Sequence, residues 1–431
     1  MHLSAPVAPL VLALALAAPR VLPGQELAAA PSAPAAERSD GATWPQWRGP
    51  ARDGHFRGAA WPERLNTENV KRLWRVELDK SYASPVVSET AVFTVETKNE
   101  EEEVVKAFSR ADGKLLWQAS WKGAMTVPFF AARNGSWVRS SPAFDGHNLY
   151  VGGMRDVLVC LDAASGEIRW RLDFPEQLKT KLPDFGFVCS PLVVGEHLYA
   201  QAGEGLAKIE KQTGKVVWRS MRDGGGMNGS AFSSPVLAQL AGKQQLVVLS
   251  RTQLHGVDPA EGKSLWSLEI PSFRGMNILT PQIVGEDGVF TAPYGGKSQL
   301  VKIGAADGGF TAAPVWQNKI QGYMCSPVVV DGHAYYFTRA NRFTCVRLAD
   351  GEERWTSGPT GNEYWSLIAQ GRRILALSND GELRLLEANP EAYTVIDELP
   401  LVEAESWAHL AAVDGLLVIR ELKALSCFAW K

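Results

Sequence analysis

From Ser326 to Trp355 the chain reads SPVVVDGHAYYFTRANRFTCVRLADGEERW, in short apolar runs rich in Val, Tyr, Phe and Thr. Two runs flank an Asp331-Gly332 turn, a third follows, and a second tight turn at Asp350-Gly351 leads into a run ending at Trp355. Short runs of this composition separated by Asp-Gly pairs predict hairpins, because Gly adopts the positive φ of a tight hairpin turn. The unit is expected to form one four-stranded antiparallel sheet.

The unit returns along the chain. Its opening pair recurs at Ser84-Pro85, Ser141-Pro142, Ser190-Pro191, Ser234-Pro235, Thr280-Pro281 and Ser326-Pro327, with degenerate starts near Ser366 and His409. Its closing tryptophan recurs at Trp117, Trp170, Trp218, Trp266, Trp316 and Trp355, with an aliphatic substitute near Ile396. The starts lie 40 to 57 residues apart, at or just beyond the period of propeller blades. Eight starts predict eight blades.

The last copy, from about His409 through Asp414-Gly415 to LSCFAW, is one strand short. The missing strand is present near the other end as KRLWRVEL, with Trp74 in the place of the closing tryptophan. The expected fold is therefore all-β: an eight-bladed β-propeller of four-stranded antiparallel blades, closed by an N-terminal strand completing the last blade. Such closure leaves no open sheet edge.

The propeller is expected over residues 66–431. Ahead of it, residues 1–30 hold the apolar run VAPLVLALALAAP and small residues, read as a signal peptide. Residues 31–43 read as a flexible linker. Residues 44–65, beginning WPQWRGPARDGHFRG, are too rich in turn residues for a helix. They are expected to pack on the propeller through Trp44 and Trp47, across one end of the channel, with Arg48, Arg52 and Arg57 as candidate anion ligands. Asp53, Arg52 and His55 have residue types suited to acid–base chemistry without naming a nucleophile.

Composition narrows the function. The 15 Trp and 40 Gly fit one Trp per blade and one Gly per turn. A net charge of -3 offers no polycation for a phosphate backbone, so no nucleic acid partner is expected. Beyond the N-terminus no stretch is apolar and long enough to span a membrane, and an exported, periplasmic or extracellular monomer is the expected state. Cys160 and Cys345 share one register of the third strand, and Cys189 and Cys325 one register of the first. Positions repeated in different blades read as buried thiols, and five cysteines do not make a full disulfide framework. The run Asn99–Glu103 reads as a solvated hairpin tip.

Turns such as Asp145-Gly146, Thr213-Gly214 and Glu261-Gly262 should share one face of the disk, here the turn face. His147, His197 and His333 belong there too, in different blades, which makes a shared metal improbable. The long and variable connections between blades should emerge on the other, the loop face, where binding is expected. Residues around the strand starts ring the channel mouth: Tyr82, Trp137, Arg139, Phe187, Asn228, Asn277, Tyr323, Glu363, Trp365, Glu405, Trp407 and His409. Aromatics with one Arg, two Glu and two Asn suit a ligand that stacks and hydrogen-bonds.

The units VLVCLDAASGEIRW (157–170), LAKIEKQTGKVVW (206–218) and LHGVDPAEGKSLW (254–266) resemble the pyrroloquinoline-quinone-type (PQQ) repeat. That repeat is shared by quinoprotein dehydrogenases and by the propeller lipoprotein of the outer-membrane protein assembly machinery. The opening WPQWRGPARDG (44–54) is similar to exported propellers with this repeat from planctomycetes and other environmental bacteria. The dehydrogenase resemblance implies a quinone stacked between a tryptophan and a vicinal disulfide, with calcium held by Glu, Asn and Asp. No two cysteines are adjacent here, so that disulfide is absent, while Glu363, Asn277 and Trp365 supply some of the other residue types. The lipoprotein resemblance implies a cysteine after the signal peptide; none precedes Cys160.

Two functions stay open at this point. One is a non-catalytic scaffold without cofactor, binding a protein, peptide or glycan through its loop face. The other is an oxidoreductase acting on an alcohol or sugar with PQQ and calcium in the central funnel. A glycan-active enzyme would need paired carboxylates across the channel, for which Glu363 and Glu405 are the pair to examine.

Overall fold

The computed structural model describes residue 1 and residues 41–229 and 231–431. The expected signal peptide, residue 1 apart, and nearly all of the expected linker lie outside the described residues. Eight four-stranded antiparallel sheets are present, seven of them built from consecutive strands. The eighth joins Ala411–Val413, Leu416–Glu421 and Ala424–Trp430 to the strand Val70–Glu77. There Val70 lies opposite Trp430 and Glu77 opposite Ala424. The ring thus closes through an N-terminal strand at the rim of the last blade, as the repeat predicts.

Each innermost strand begins just after the Ser/Thr-Pro pair, at Val86, Ala143, Leu192, Val236, Gln282 and Val328. Proline has no N–H to give to a ladder, so it sits ahead of the strand. The serine beside it links neighbouring blades. The Ser84 N–H donates to Ser141 Oγ at 2.9 Å, Ser141 to Ser190 Oγ at 3.2 Å, and Ser190 to Ser234 Oγ at 2.9 Å. The Thr280 N–H reaches Ser326 Oγ at 3.1 Å, and the His409 N–H reaches Ser84 Oγ at 2.8 Å across the closing seam. Buried backbone donors here are satisfied by the next blade rather than by water.

A second device holds the rim. Trp117 Nε1 donates to the Ala163 carbonyl of the following blade at 2.9 Å. Trp170, Trp218, Trp316 and Trp355 make the corresponding bonds to Lys211, Ala260, Leu348 and Asn389. Trp74 of the closing strand does the same to Arg110 of blade one. In most of these seams the indole lies on the glycine of the next tight turn, such as Gly166 at φ 77, where a Cβ would meet the ring at 2.5 Å. The recurring Trp and Gly are thus two halves of one contact. Trp266 departs from the pattern and donates to Gln245 of its own blade.

Residues 44–57 stopper the channel. Trp44 pairs with Val87, Pro45 O accepts from the Phe144 N–H, and Phe56 N donates to Ala369 O. Val87 and Phe144 end their strands at the turn face, so the segment enters from that side. Arg52 then reaches up the channel to the Ser190 and Pro191 carbonyls, both at 2.8 Å, and Arg48 to the Pro327 carbonyl. Trp47 donates to Thr280 Oγ1 at 2.9 Å and meets His409 edge-on at 5.1 Å. Of the three arginines expected as anion ligands, Arg48 and Arg52 are instead 0% and 2% exposed and bound to carbonyls, while Arg57 is exposed and paired with Asp53. Burial pulls the pKa values of the first two down, to about 10 for Arg48 and about 9 for Arg52.

The acid–base grouping also separates. Arg52 turns into the channel, Asp53 pairs with Arg57, and His55 Nε2 meets the Val329 carbonyl at 3.0 Å. All five cysteines are buried and free.

Candidate functional site

The loop face carries the blade-to-blade connections, and three expected mouth residues meet there in one belt with a fourth aromatic. Tyr364 of blade seven stacks on Trp407 of blade eight at 5.4 Å, Trp407 meets Tyr82 of blade one at 5.8 Å, and Tyr82 meets Trp137 at 5.3 Å. Tyr364 joins the belt beside the expected Tyr82, Trp137 and Trp407. Burial, with the charge of Glu405, pushes the Tyr82 phenol up to about 12. Arg139 stands beside it, half-buried, its pKa lowered to about 10 by burial.

Next to the belt, Lys80 Nζ lies 4.8 Å from the centre of the Trp137 ring. Both line a cleft of about 510 Å³ with Thr97, Asn99, Ser136 and Lys423. The short helix Phe129–Asn134 borders this region, and its Arg133 pairs with Glu363 at 2.9 Å. Residues 230 positions apart therefore meet, and the first inter-blade connection reaches the one that enters blade seven.

Other expected mouth residues stand elsewhere. Phe187 and Trp365 are fully buried. Phe187 fills the space left by Gly152, where a Cβ would fall 1.7 Å from the ring. Trp365 packs edge-on to Phe343 at 5.1 Å with the Arg384 guanidinium 4.9 Å from its centre. Asn277 is buried and donates to the Arg251 and Ile270 carbonyls, both at 3.1 Å, bracing its own connection. His409 is inside the channel against Trp47, its pKa lowered to about 3 by burial and by Arg48. Asn228 and Glu405 are exposed, and Tyr323 is half-buried against Tyr294 at 5.1 Å.

The residues suited to a quinone and calcium do not fit that group. Trp365 has both neighbours in the core and no face for a ring to stack on. Asn277 is wholly buried in its own connection, its amide nitrogen on two carbonyls, and Glu363 stands at the surface with Arg133, so the two do not face one site. The pair proposed for glycan chemistry is likewise engaged: Glu363 holds Arg133, and Glu405 accepts from Trp407 Nε1. Among the described residues no group of three or more His, Cys, Asp or Glu is placed to hold a metal ion.

The solvated hairpin tip needs correction at its last residue. Asn99–Glu101 turn in solvent, but Glu103 is fully buried and accepts from Trp121 Nε1 at 2.8 Å and from the Met154 N–H of blade two at 2.6 Å. Burial pushes its pKa up to about 7. Asp156 repeats the device one blade on, accepting from the Gly203 N–H at 3.0 Å, and burial raises it to about 7 as well. A charge run in sequence does not reveal which member a strand turns inward; only the alternation after Glu102 carried that information.

The aromatics that sequence reasoning missed lie between strands. Phe129 is 90% exposed and Phe130 50%. Phe130 contacts Phe185 at 6.2 Å, which contacts Phe232 at 5.4 Å. Phe273 and Tyr294 continue the series to the expected Tyr323 over blades five and six, at 5.4 and 5.1 Å. The adjacent Phe129-Phe130 pair in a connection without strand alternation was the one available signal.

A family profile described as outer membrane protein assembly factor BamB matches residues 101–357. BamB of Yersinia pestis is 24% identical over 268 residues, 57% of this chain and 64% of that protein. BamB of Shewanella oneidensis is 23% identical over 291 residues, 66% of each chain. The chain thus spans just under two thirds of the length of these curated relatives. Among solved structures, BamB from Moraxella catarrhalis superposes with a TM-score of 0.60 at 13% identity, over 84% of this chain and 98% of that one. The quinohemoprotein alcohol dehydrogenase from Comamonas testosteroni superposes at 0.50 and 13% identity, over 91% and 81%. At such identities the superpositions establish the shared propeller fold. The profile match over more than half of its length places the chain in the outer membrane protein assembly factor BamB family.

Proposed function

We propose that this protein is an exported, non-catalytic scaffold whose loop face binds a partner protein. The carrying observation is the row of exposed apolar side chains on that face, Phe129, Phe130, Met227 and Phe273, over a disk braced at most of its seams. Large exposed apolar groups gathered on one rigid face mark a protein contact. The relatives' description as outer-membrane assembly factors supports the same reading and an exported location. Tyr82, Trp137, Arg139, Tyr323, Glu363, Glu405, Trp407 and Asn228 would border the partner at the mouth.

The test is site-specific photo-crosslinking in the exporting cell from Phe130 and, as control, from His333 on the turn face. The reading requires a discrete adduct from Phe130 that is lost in F129S/F273S. Equal labelling from both faces overturns it.

A further inference from the structure

The loop face is divided in charge. Over blades four to six its loops comprise residues 250–252, 270–281, 292–298, 317–327 and 338–342, and they contain no Asp or Glu. They carry Arg251, Arg274, Lys297, Lys319, Arg339 and Arg342. Over blades seven, eight and one, the corresponding loops carry Asp380, Glu403, Glu405, Asp79, Glu100 and Glu101 against Lys80 and Lys423. The connection into blade four adds Asp223, which faces Arg251, and the one out of blade six adds Glu363 near Tyr323, so in a chain of net charge -3 this sector has six cations to two bordering carboxylates. Arg274, Lys297, Lys319 and Arg339 are exposed. Among the described residues none of the six makes an ion pair, although most other arginine-rich regions of the surface do.

The guanidinium groups are held in place. Arg339 lies 4.8 Å from the centre of the Tyr294 ring, Arg274 5.2 Å from Phe273, and Arg251 4.6 Å from Phe232. Arg251 also donates to the Gly275 and Arg274 carbonyls, at 2.6 and 2.9 Å, which ties the connection that presents Arg274. An arginine resting on a ring has less side-chain freedom to lose and keeps N–H groups for a carboxylate fork. Between the cations stand Phe273, 43% exposed, and the half-buried Tyr294 and Tyr323. Cationic forks alternating with apolar rings match a chain in which carboxylates alternate with apolar side chains.

We propose that the loops of blades four to six dock an acidic, apolar-interleaved segment of the partner protein, with its carboxylates on Arg274 and Arg339 and its apolar side chains on Phe273 and Tyr294. The inference rests on the scaffold reading above and names the chemistry of the partner. An acidic polypeptide is favoured over an anionic glycan because Phe273 and the neighbouring Met227, 44% exposed, offer apolar contact that a polyhydroxylated chain does not match.

The test uses the full mature chain and a fluorescein-labelled peptide of alternating Glu and Leu, with the Lys–Leu peptide as charge control and an alginate oligomer as competitor. Fluorescence polarisation is read at low and physiological salt for the wild type and R274E/R339E, both arginines being exposed; R72E on the outer strand of blade eight is the control. The proposal expects saturable binding of the Glu–Leu peptide alone, at least tenfold weaker in R274E/R339E and unchanged in R72E, and weakened by salt. Equal binding by all three proteins overturns it, as does no binding of the peptide. Displacement by alginate with no response to loss of the leucines overturns it in favour of an anionic glycan. Persistence of the Phe130 crosslink in R274E/R339E, together with no peptide binding, would remove this inference and leave the scaffold reading standing.

Discussion

The indole of Trp117 lies on Gly166 of the neighbouring blade and donates from Nε1 to the Ala163 carbonyl at 2.9 Å. Gly166 has φ 77, and a Cβ there would stand 2.5 Å from the ring. Gly146 also has a positive φ, 98, with nothing within 4 Å of its Cβ position. Gly146→Ala carries the backbone strain alone, about 1 kcal/mol, while Gly166→Ala adds a steric clash for a total of roughly 2–4 kcal/mol. Urea unfolding midpoints of the two variants check this; equal midpoints would refute the indole contact as a stabilising one.

Glu103 makes stability depend on pH. Its folded pKa, about 7, lies above the ordinary 4.5 because burial disfavours the charge. Between these values the folded chain holds a proton that the unfolded chain releases. The contribution is therefore complete below pH 4.5 and is lost as pH rises through 7. The ceiling on that loss is about 3 kcal/mol. Glu103→Gln keeps a hydrogen-bonding side chain that cannot ionise, so its midpoint should fall less than the wild type's between pH 5 and pH 8. Asp156, raised in the same way, leaves the variant with a residual slope.

Ser141→Ala removes the acceptor of the buried Ser84 N–H. The expected loss is about 1–3 kcal/mol, the desolvation penalty of an orphaned buried donor. Measured unfolding midpoints of Ser141→Ala and of the exposed control Ser165→Ala should separate by that amount.

The seam between blades four and five is the least braced among the described residues. Trp266 turns to Gln245 instead of the next blade, and the Thr280 hydroxyl accepts from Trp47 rather than from Ser234. Ser233 Oγ to Leu279 O at 3.1 Å and Ala241 N to Glu286 O at 2.8 Å remain. Native-state hydrogen exchange should show Gln282–Val284 opening before Ala143–Phe144, whose seams carry both devices. Trp47→Phe, which frees Thr280, should alter exchange at that seam more than at the seam between blades two and three.

Much of the fold was legible because its contacts repeat. Ser-Pro, tight Gly turns and Trp recur in one order, and each occupies the same place in most blades, so one reading served for the degenerate copies too. Trp74 identified the closing strand by the same logic, without any knowledge of its partner. The mouth was less legible. Position relative to Ser-Pro locates a strand start but not whether a connection folds over it, which is why Trp365 and Phe187 are interior while Tyr82 and Trp407 are not. Phe129, Arg133 and Arg251 belong to irregular connections, where no period constrains the reading.

The closing strand and the channel stopper have a consequence for the order of events in folding. Val70–Glu77 is made early in synthesis, yet its ladder partner Ala424–Trp430 is made last. Arg48 and Arg52 likewise wait for Pro327 and Ser190. Contacts of such sequence separation carry a large loop-closure entropy and form slowly. The strand Val70–Glu77 stays without its native partner until the last strand is made, so seven blades can form in chain order but the ring closes only when the chain is complete.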